Sequence, residues 1–258
     1  MALALNDLSD LISFKEEVMG FESHPGYTIR ATRLPPLQGH LGVTILADVE
    51  ALQTDIRALR SSEAAQAVGV LARAFDADEI ISFFLNDRRR RRLAYELFFR
   101  AILGEHLRYG SVWAAKLHGR IVAVAVWRPP DAGGPTTVDR WRWSVAELGM
   151  RLLFPGRARR LFEGFAATEH FHPPEPHWYL FFVGVDRSYR GRGIGARLLR
   201  PVLERADEQR RLCYLETPTR QNQPFYRRLG FKVTAETRPF AGAPPLWLML
   251  RPPGAPAR

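Results

Sequence analysis

The sequence predicts an α/β protein of the α+β type, built on a mixed, mostly antiparallel sheet flanked by helices. Three observations carry that expectation. Two β-rich runs, Ser111 to Lys116 and Arg120 to Trp127, are joined by Leu117, His118 and Gly119, which signals an antiparallel hairpin. Helical apolar spacing fills the segments on either side of it, and a strand, helix, strand succession runs from His177 to Glu216. With 258 residues, 46% of them hydrophobic, the chain can bury roughly 70–75% of its unfolded surface, which excludes a peptide scaffold and global disorder.

Residues 1–53 show only a weak helical spacing at Leu3, Leu8, Leu11 and Ile12 before Pro25, Pro35 and Pro36. They read as an N-terminal arm, poorly structured or an appended helix, ahead of a folded domain over 54–252 and a tail at 253–258. A short strand at Ile56 to Leu59 leads to a helix that Ser61 or Ser62 caps and that turns Ala64, Ala67, Val68, Leu71 and Phe75 inward. Asn86 or Asp87 caps the next, with Leu93, Leu97, Phe98, Ala101 and Ile102 at helical spacing up to Gly110. Arg88 to Arg92 occupy its first turns, where cations oppose the helix dipole; the run reads as a solvated face in preference to a phosphate contact.

Beyond the hairpin, Trp141, Val145, Leu148, Leu152, Leu161 and Phe165 outline one or two helices interrupted at Pro155 and Gly156. A long strand is expected over His177 to Val185. The helix after it carries Ala196, Leu199, Val202, Leu203 and Ala206 on one face, with a kink expected at Pro201. A strand at Leu212 to Glu216, a short helix from about Gln223 to Leu229 closed by Gly230, and strands at Phe231 to Ala235 and Leu246 to Leu250 complete the domain.

Composition narrows the setting. Cys213 is the only cysteine, so neither an intrachain disulfide nor a thiolate zinc site can form, and a reducing cytoplasm is expected. No window approaches ~18 uninterrupted apolar residues, and the first thirty residues do not read as an export signal, so no membrane partner is expected. The 37 basic and 27 acidic residues leave a net charge of +10, almost all of the basic ones arginine. Such a surface suits anionic partners, polyphosphate ligands among them, without selecting one.

The stretch Val183, Gly184, Val185, Asp186, Arg187, Ser188, Tyr189, Arg190, Gly191, Arg192, Gly193, Ile194, Gly195 takes a strand through a glycine-rich turn into a helix N-terminus. Unpaired N–H groups at a helix start carry the positive end of its dipole, and glycines let the backbone approach a pyrophosphate closely. Gly195 is followed by Ala196 and Arg197, whereas a P-loop needs Lys and Ser or Thr there; the glycine spacing also misses the dinucleotide fingerprint. What it matches is Arg-x-x-Gly-x-Gly, at Arg190, Gly193 and Gly195. Downstream stand Leu215, Glu216 and Thr217 at a strand end, then Asn222, Phe225, Tyr226, Leu229, Gly230 and Phe231.

With these residues the sequence resembles the GNAT superfamily of acyl-CoA N-acyltransferases, in which the Arg-x-x-Gly-x-Gly turn holds the pyrophosphate of acetyl-CoA. Within that superfamily it is most similar to puromycin N-acetyltransferase and its relatives, through Glu175 to Leu180, Gly184 and Val185, Leu215 to Thr217, Asn222, Pro224 to Tyr226, Arg228 to Phe231 and Val233 to Ala235. The resemblance covers roughly Asp55 to Pro252. It implies a GNAT-type sheet with a V-shaped cleft between two central strands, acetyl-CoA as cosubstrate, and transfer to a primary amine of a small, antibiotic-like or aminoacyl molecule. A lysine or N-terminal amine of a protein, a non-catalytic CoA-binding module and a nucleic-acid-binding module stand as alternatives, nucleic acid the least favoured. Steep salt dependence would mark the last.

Attack of a neutral amine on a thioester needs a polarised carbonyl, a place for the amine proton and a proton donor for the thiolate. Gly184, small within a bulky strand, suggests a β-bulge that frees the N–H of Val183 or Val185 for the thioester oxygen. Tyr226, a phenol protonated at neutral pH, is the candidate acid, facing the cleft while Phe225 faces the core. Glu216 is the candidate base, directly or through water. Asn222 either caps the helix of Tyr226 or bonds the pantetheine arm. Arg190, Gly191, Arg192, Gly193, Ile194 and Gly195 form the candidate cradle. Trp127 and Trp178 are read as acceptor pocket or as core, and His170, His172 and His177 as loop histidines, since prolines interrupt any metal-ligand spacing; no metal is expected.

Overall fold

β-Strands form where branched and aromatic residues run together, and here they assemble one seven-stranded sheet in the order β1-β2-β3-β4-β5-β7-β6. The structure is a computed structural model and describes residues 54–76, 79–238 and 242–255. The arm expected over 1–53 lies outside the described residues. The strands are β1 Asp55–Ala58, β2 Val112–Leu117, β3 Arg120–Arg128, β4 His177–Val185, β5 Leu212–Thr217, β6 Lys232–Thr237 and β7 Leu246–Arg251. Every pairing is antiparallel except that of β4 with β5, the mixed sheet expected.

The helices are α1 Ala64–Ala74, α2 Glu79–Phe84, α3 Arg88–His106, α4 Thr137–Leu153, α5 Arg157–Thr168, α6 Ile194–Glu208 and α7 Gln223–Arg228. Asp87 caps α3, its carboxylate accepting from the N–H groups of Arg89 and Arg90, which supplies near the arginine run the negative charge that the dipole favours. Of that run Arg91 is buried and donates to Ser82, while its neighbours are exposed; the solvated face is incomplete by one residue. The β2–β3 turn is made by His118 at φ 49° and Gly119 at φ 77°, the left-handed pair that a two-residue hairpin needs. Pro201 stands inside α6 without ending it.

β3 is buried from Ile121 to Trp127, as a central strand covered on both faces must be. One core cluster gathers Val68, Leu71, Phe98, Phe99 and Phe182 on the side of α1, α3 and α5; the other gathers Trp127, Trp178, Leu198, Val202 and Phe231 on the side of α6. The start of the expected tail is pinned. Asp207 accepts from both guanidinium Nη atoms of the buried Arg251 at 2.6 and 2.7 Å and from the N–H of Gly254 at 2.6 Å.

Candidate active site

The parallel pairing of β4 with β5 is short: it runs from His177 opposite Leu212 to Tyr179 opposite Tyr214 and then stops. Beyond it β4 continues to Val185 and β5 to Thr217, so the strands splay into the expected V-shaped cleft. The N–H of Asp186 donates to Val122 of β3, and alternation along an antiparallel strand then points the N–H groups of Val183 and Val185 away from β3, toward the cleft.

The bulge is not at Gly184. Val126 pairs with Phe182 and Trp127 with Leu180, which leaves Phe181 as the extra residue, whereas Gly184 pairs regularly with Val124. A Cβ on Gly184 would lie 2.8 Å from Ala74 Cβ and 3.2 Å from Leu71, so this glycine lets α1 close onto the sheet. The splay, not a local bulge at Gly184, opens the N–H groups of Val183 and Val185.

In the glycine turn, Gly191 and Gly193 have φ of 76° and 72° with nothing within 4 Å of an added Cβ, and Gly193 is the N-cap of α6. The first N–H groups of α6 therefore start from a bare backbone with open space beside it, which suits a pyrophosphate. Ile194 is buried as an anchor, and a Cβ on Gly195 would stand 3.4 Å from the ring of Phe225. Arg190 donates from Nε to Val185 O at 3.0 Å and from Nη2 to Ala74 O at 2.8 Å. Arg192 donates to Ser188 O at 2.9 Å and covers the Tyr189 ring. Both guanidinium groups thus brace the turn.

A cavity of about 140 Å³ brings together Val183, Glu216, Asn222 and Tyr226, walled by Tyr179, Phe181, Phe182 and Phe165. Asn222 is the N-cap residue of α7 but makes no capping bond through its side chain, so the cap alternative fails. The division of labour between Phe225 and Tyr226 is also revised. Tyr226 is the more buried, packed edge-on against Phe231, and it reaches the cavity as well; Phe225 is half-buried against Gly195. Trp127 and Trp178 are core residues, ring to ring at 6.4 Å, with Trp178 Nε1 donating to Gln209 at 2.8 Å.

Glu216 has a side chain only 9% exposed. Its Oε2 accepts from Tyr179 at 2.7 Å and its Oε1 from Tyr214 at 2.9 Å. Burial pushes its pKa up to about 7 against the pull of both hydroxyls, and the charge of Glu169 adds to the rise. Burial and the Glu216 charge raise the phenols of Tyr179 and Tyr214. His172 Nε2 stands 3.6 Å from Glu216 Oε1. Burial, with His177 and Arg128 nearby, lowers the pKa of His172 to about 4, so its ring is neutral at pH 7.

Tyr179 and Tyr214 are site neighbours that the motif reading passed over; so are His172 and His177, read there as loop histidines, although His177 opens β4. The signal for them is period two: His177 and Tyr179 alternate along β4, and Tyr214 and Glu216 along β5, so each pair shares a face. Among the described residues no helix is long and apolar enough to cross a membrane.

The fold and this cleft define an acyltransferase of the GNAT class. The Acetyltransferase (GNAT) family model matches residues 77–231, more than half of the chain, and the chain belongs to that family. It is an enzyme that transfers an acetyl group from acetyl-CoA to an amine. An uncharacterised N-acetyltransferase of Schizosaccharomyces pombe is 26% identical over 180 residues, 64% of this chain and 69% of that protein. A solved structure described as histone acetyltransferase HPA2 and related acetyltransferase, from Corynebacterium glutamicum, is similar with a TM-score of 0.59 and 24% identity over 80% of this chain and 99% of the other. An agmatine N-acetyltransferase is similar with a TM-score of 0.55 and 16% identity over 77% of this chain and 98% of its own. The two structural likenesses speak for the fold.

Proposed function

We propose that the chain acetylates a primary amine of a small molecule, with Glu216 taking the amine proton and Tyr226 protonating the departing thiolate. The observation that carries this reading is that one aromatic-walled cavity holds both side chains. Acetyl-CoA supplies the activated acetyl group. The backbone of Gly191 to Gly195 receives its pyrophosphate, the N–H of Val183 or Val185 faces the thioester oxygen, and the Asn222 amide is available to the pantetheine arm. Arg190 and Arg192 act on the cradle indirectly, by holding the carbonyls that shape it.

A carboxyl whose pKa is pushed up to about 7 is well matched to accepting an amine proton at neutral pH, because it is partly ionised and still basic enough to hold what it takes. A small acceptor is supported by the cavity volume of about 140 Å³; the agmatine enzyme with the same fold acts on a small amine.

The test is thiol release from acetyl-CoA across a panel of puromycin, agmatine, spermidine, phenylethylamine and a lysine peptide. Turnover of at least one small amine well above the peptide is expected. Turnover of the peptide alone, or salt-sensitive nucleic-acid binding without turnover of any amine, overturns the reading.

A further inference from the structure

Glu216 is enclosed, so a proton that it accepts needs a way out, and the partners of two histidines describe one. His177 Nδ1 lies 2.8 Å from the carbonyl oxygen of Glu175. A carbonyl only accepts, so Nδ1 carries the hydrogen, and in a neutral ring Nε2 of His177 is then bare. With His177 neutral, His172 Nδ1, 3.1 Å from that Nε2, is the donor. Nε2 of His172 is thereby left as a lone pair, and it is this atom that stands 3.6 Å from Glu216 Oε1. One backbone carbonyl thus sets both tautomers and aims an acceptor at the carboxyl.

We propose that His172 and His177 are positioning residues that carry the proton taken by Glu216 out to solvent. The proposal rests on the reading of Glu216 as the base. While Glu216 is ionised, its oxygens accept from the hydroxyls of Tyr179 and Tyr214, and the lone pair of His172 faces another acceptor. Once the amine proton is on Glu216, the new O–H has an acceptor in His172 Nε2. As that nitrogen gains the proton, the hydrogen on His172 Nδ1 passes to His177 Nε2, and His177, now an imidazolium, loses a proton to water. One proton enters at Glu216 and one leaves at His177; the proton that Tyr226 gives to the thiolate is replaced from water. The resting tautomers return by exchange with water, which reaches the partly exposed rings.

The surroundings suit transit more than storage. His172 packs against the rings of Tyr179 at 4.5 Å and Tyr214 at 4.7 Å, and it feels the cation Arg128 from β3, His177 from β4 and the carboxyl of Glu216 from β5. Burial, His177 and Arg128 disfavour a lasting charge on it.

Two measurements decide the matter. In nitrogen-15 histidine NMR of the acetyl-CoA-free enzyme near pH 7.5, His172 should show hydrogen on Nδ1 and a bare Nε2; the opposite tautomer, or a charged ring, overturns the proposal. In stopped-flow thiol release with acetyl-CoA and the best amine of the panel, His172→Phe and His177→Gln should give a first turnover near wild type. A steady state slower by ~10-fold or more should follow, because Glu216 stays protonated, and added imidazole should restore it. Steady state within about twofold of wild type in both variants, or a first turnover slowed as much as the later ones, overturns it. His177→Gln changes a half-buried side chain and keeps the test valid should His172→Phe fail to fold. A failure of the underlying reading is seen separately, as wild-type turnover in Glu216→Gln.

Discussion

Gly184 lies against Ala74 so closely that a Cβ on Gly184 would come within 2.8 Å of the Ala74 methyl. α1 therefore seats on β4 at the last turns before the cleft, and Arg190 ties the end of α1, at Ala74 O, to the end of β4, at Val185 O. Since the strand backbone at Gly184 is regular, the requirement for glycine is contact alone. Gly184→Ala should cost ~1–3 kcal/mol, the usual penalty for overpacking a fitted interface, read as a lowered midpoint in urea. An unchanged midpoint would show that α1 shifts freely.

Gly193→Glu should abolish acetyl-CoA binding while the protein remains folded. The position has φ of 72° and open space beside it, so the new side chain meets no neighbour, but it strains the turn and sets a carboxylate where the pyrophosphate must approach. Calorimetry on a variant with unchanged circular dichroism checks this; wild-type affinity would remove the cradle.

Tyr226→Phe separates chemistry from packing. Loss of a general acid should lower kcat by ~10²-fold or more with acetyl-CoA affinity nearly unchanged. If the hydroxyl served only packing, stability would fall by about 1 kcal/mol while kcat stayed within about threefold of wild type.

Glu216→Gln should alter the pH dependence of stability in a defined sense. The carboxyl pKa rises from 4.5 to about 7 on folding, so the folded protein holds this proton more tightly. The stability it contributes is complete below 4.5 and is lost as pH climbs through 7. A neutral glutamine has no such loss, and the variant should melt higher than wild type at pH 8, by up to about 3 kcal/mol of stability, with the gap closing toward pH 4.5. His172 works oppositely, losing stability as pH falls from 6.5 toward 4, and cancels to first order in the comparison. A gap of equal size at both pH values would refute the raised pKa. The same variant should lower kcat by ~10²-fold.

Much of this protein was determined locally. Runs of branched and aromatic residues placed β2, β3 and β4, helical spacing placed α1, α3 and α6, and the glycines at 191 and 193 announced a turn whose left-handed backbone few other residues adopt. The candidates Glu216, Asn222 and Tyr226 were marked by the resemblance of their segments to the GNAT superfamily, which needs only the order of residues along the chain. Tertiary structure decided what depends on neighbours far apart in sequence. Phe181 became the bulge and Gly184 a contact point because the register of β3 and the seat of α1 are set by other elements. Tyr179, Tyr214 and His172 surround Glu216 only because β4 lies parallel to β5 for three residue pairs before diverging. That short pairing buries the carboxyl among rings, and burial, a property of the assembled fold, is what raises its affinity for a proton.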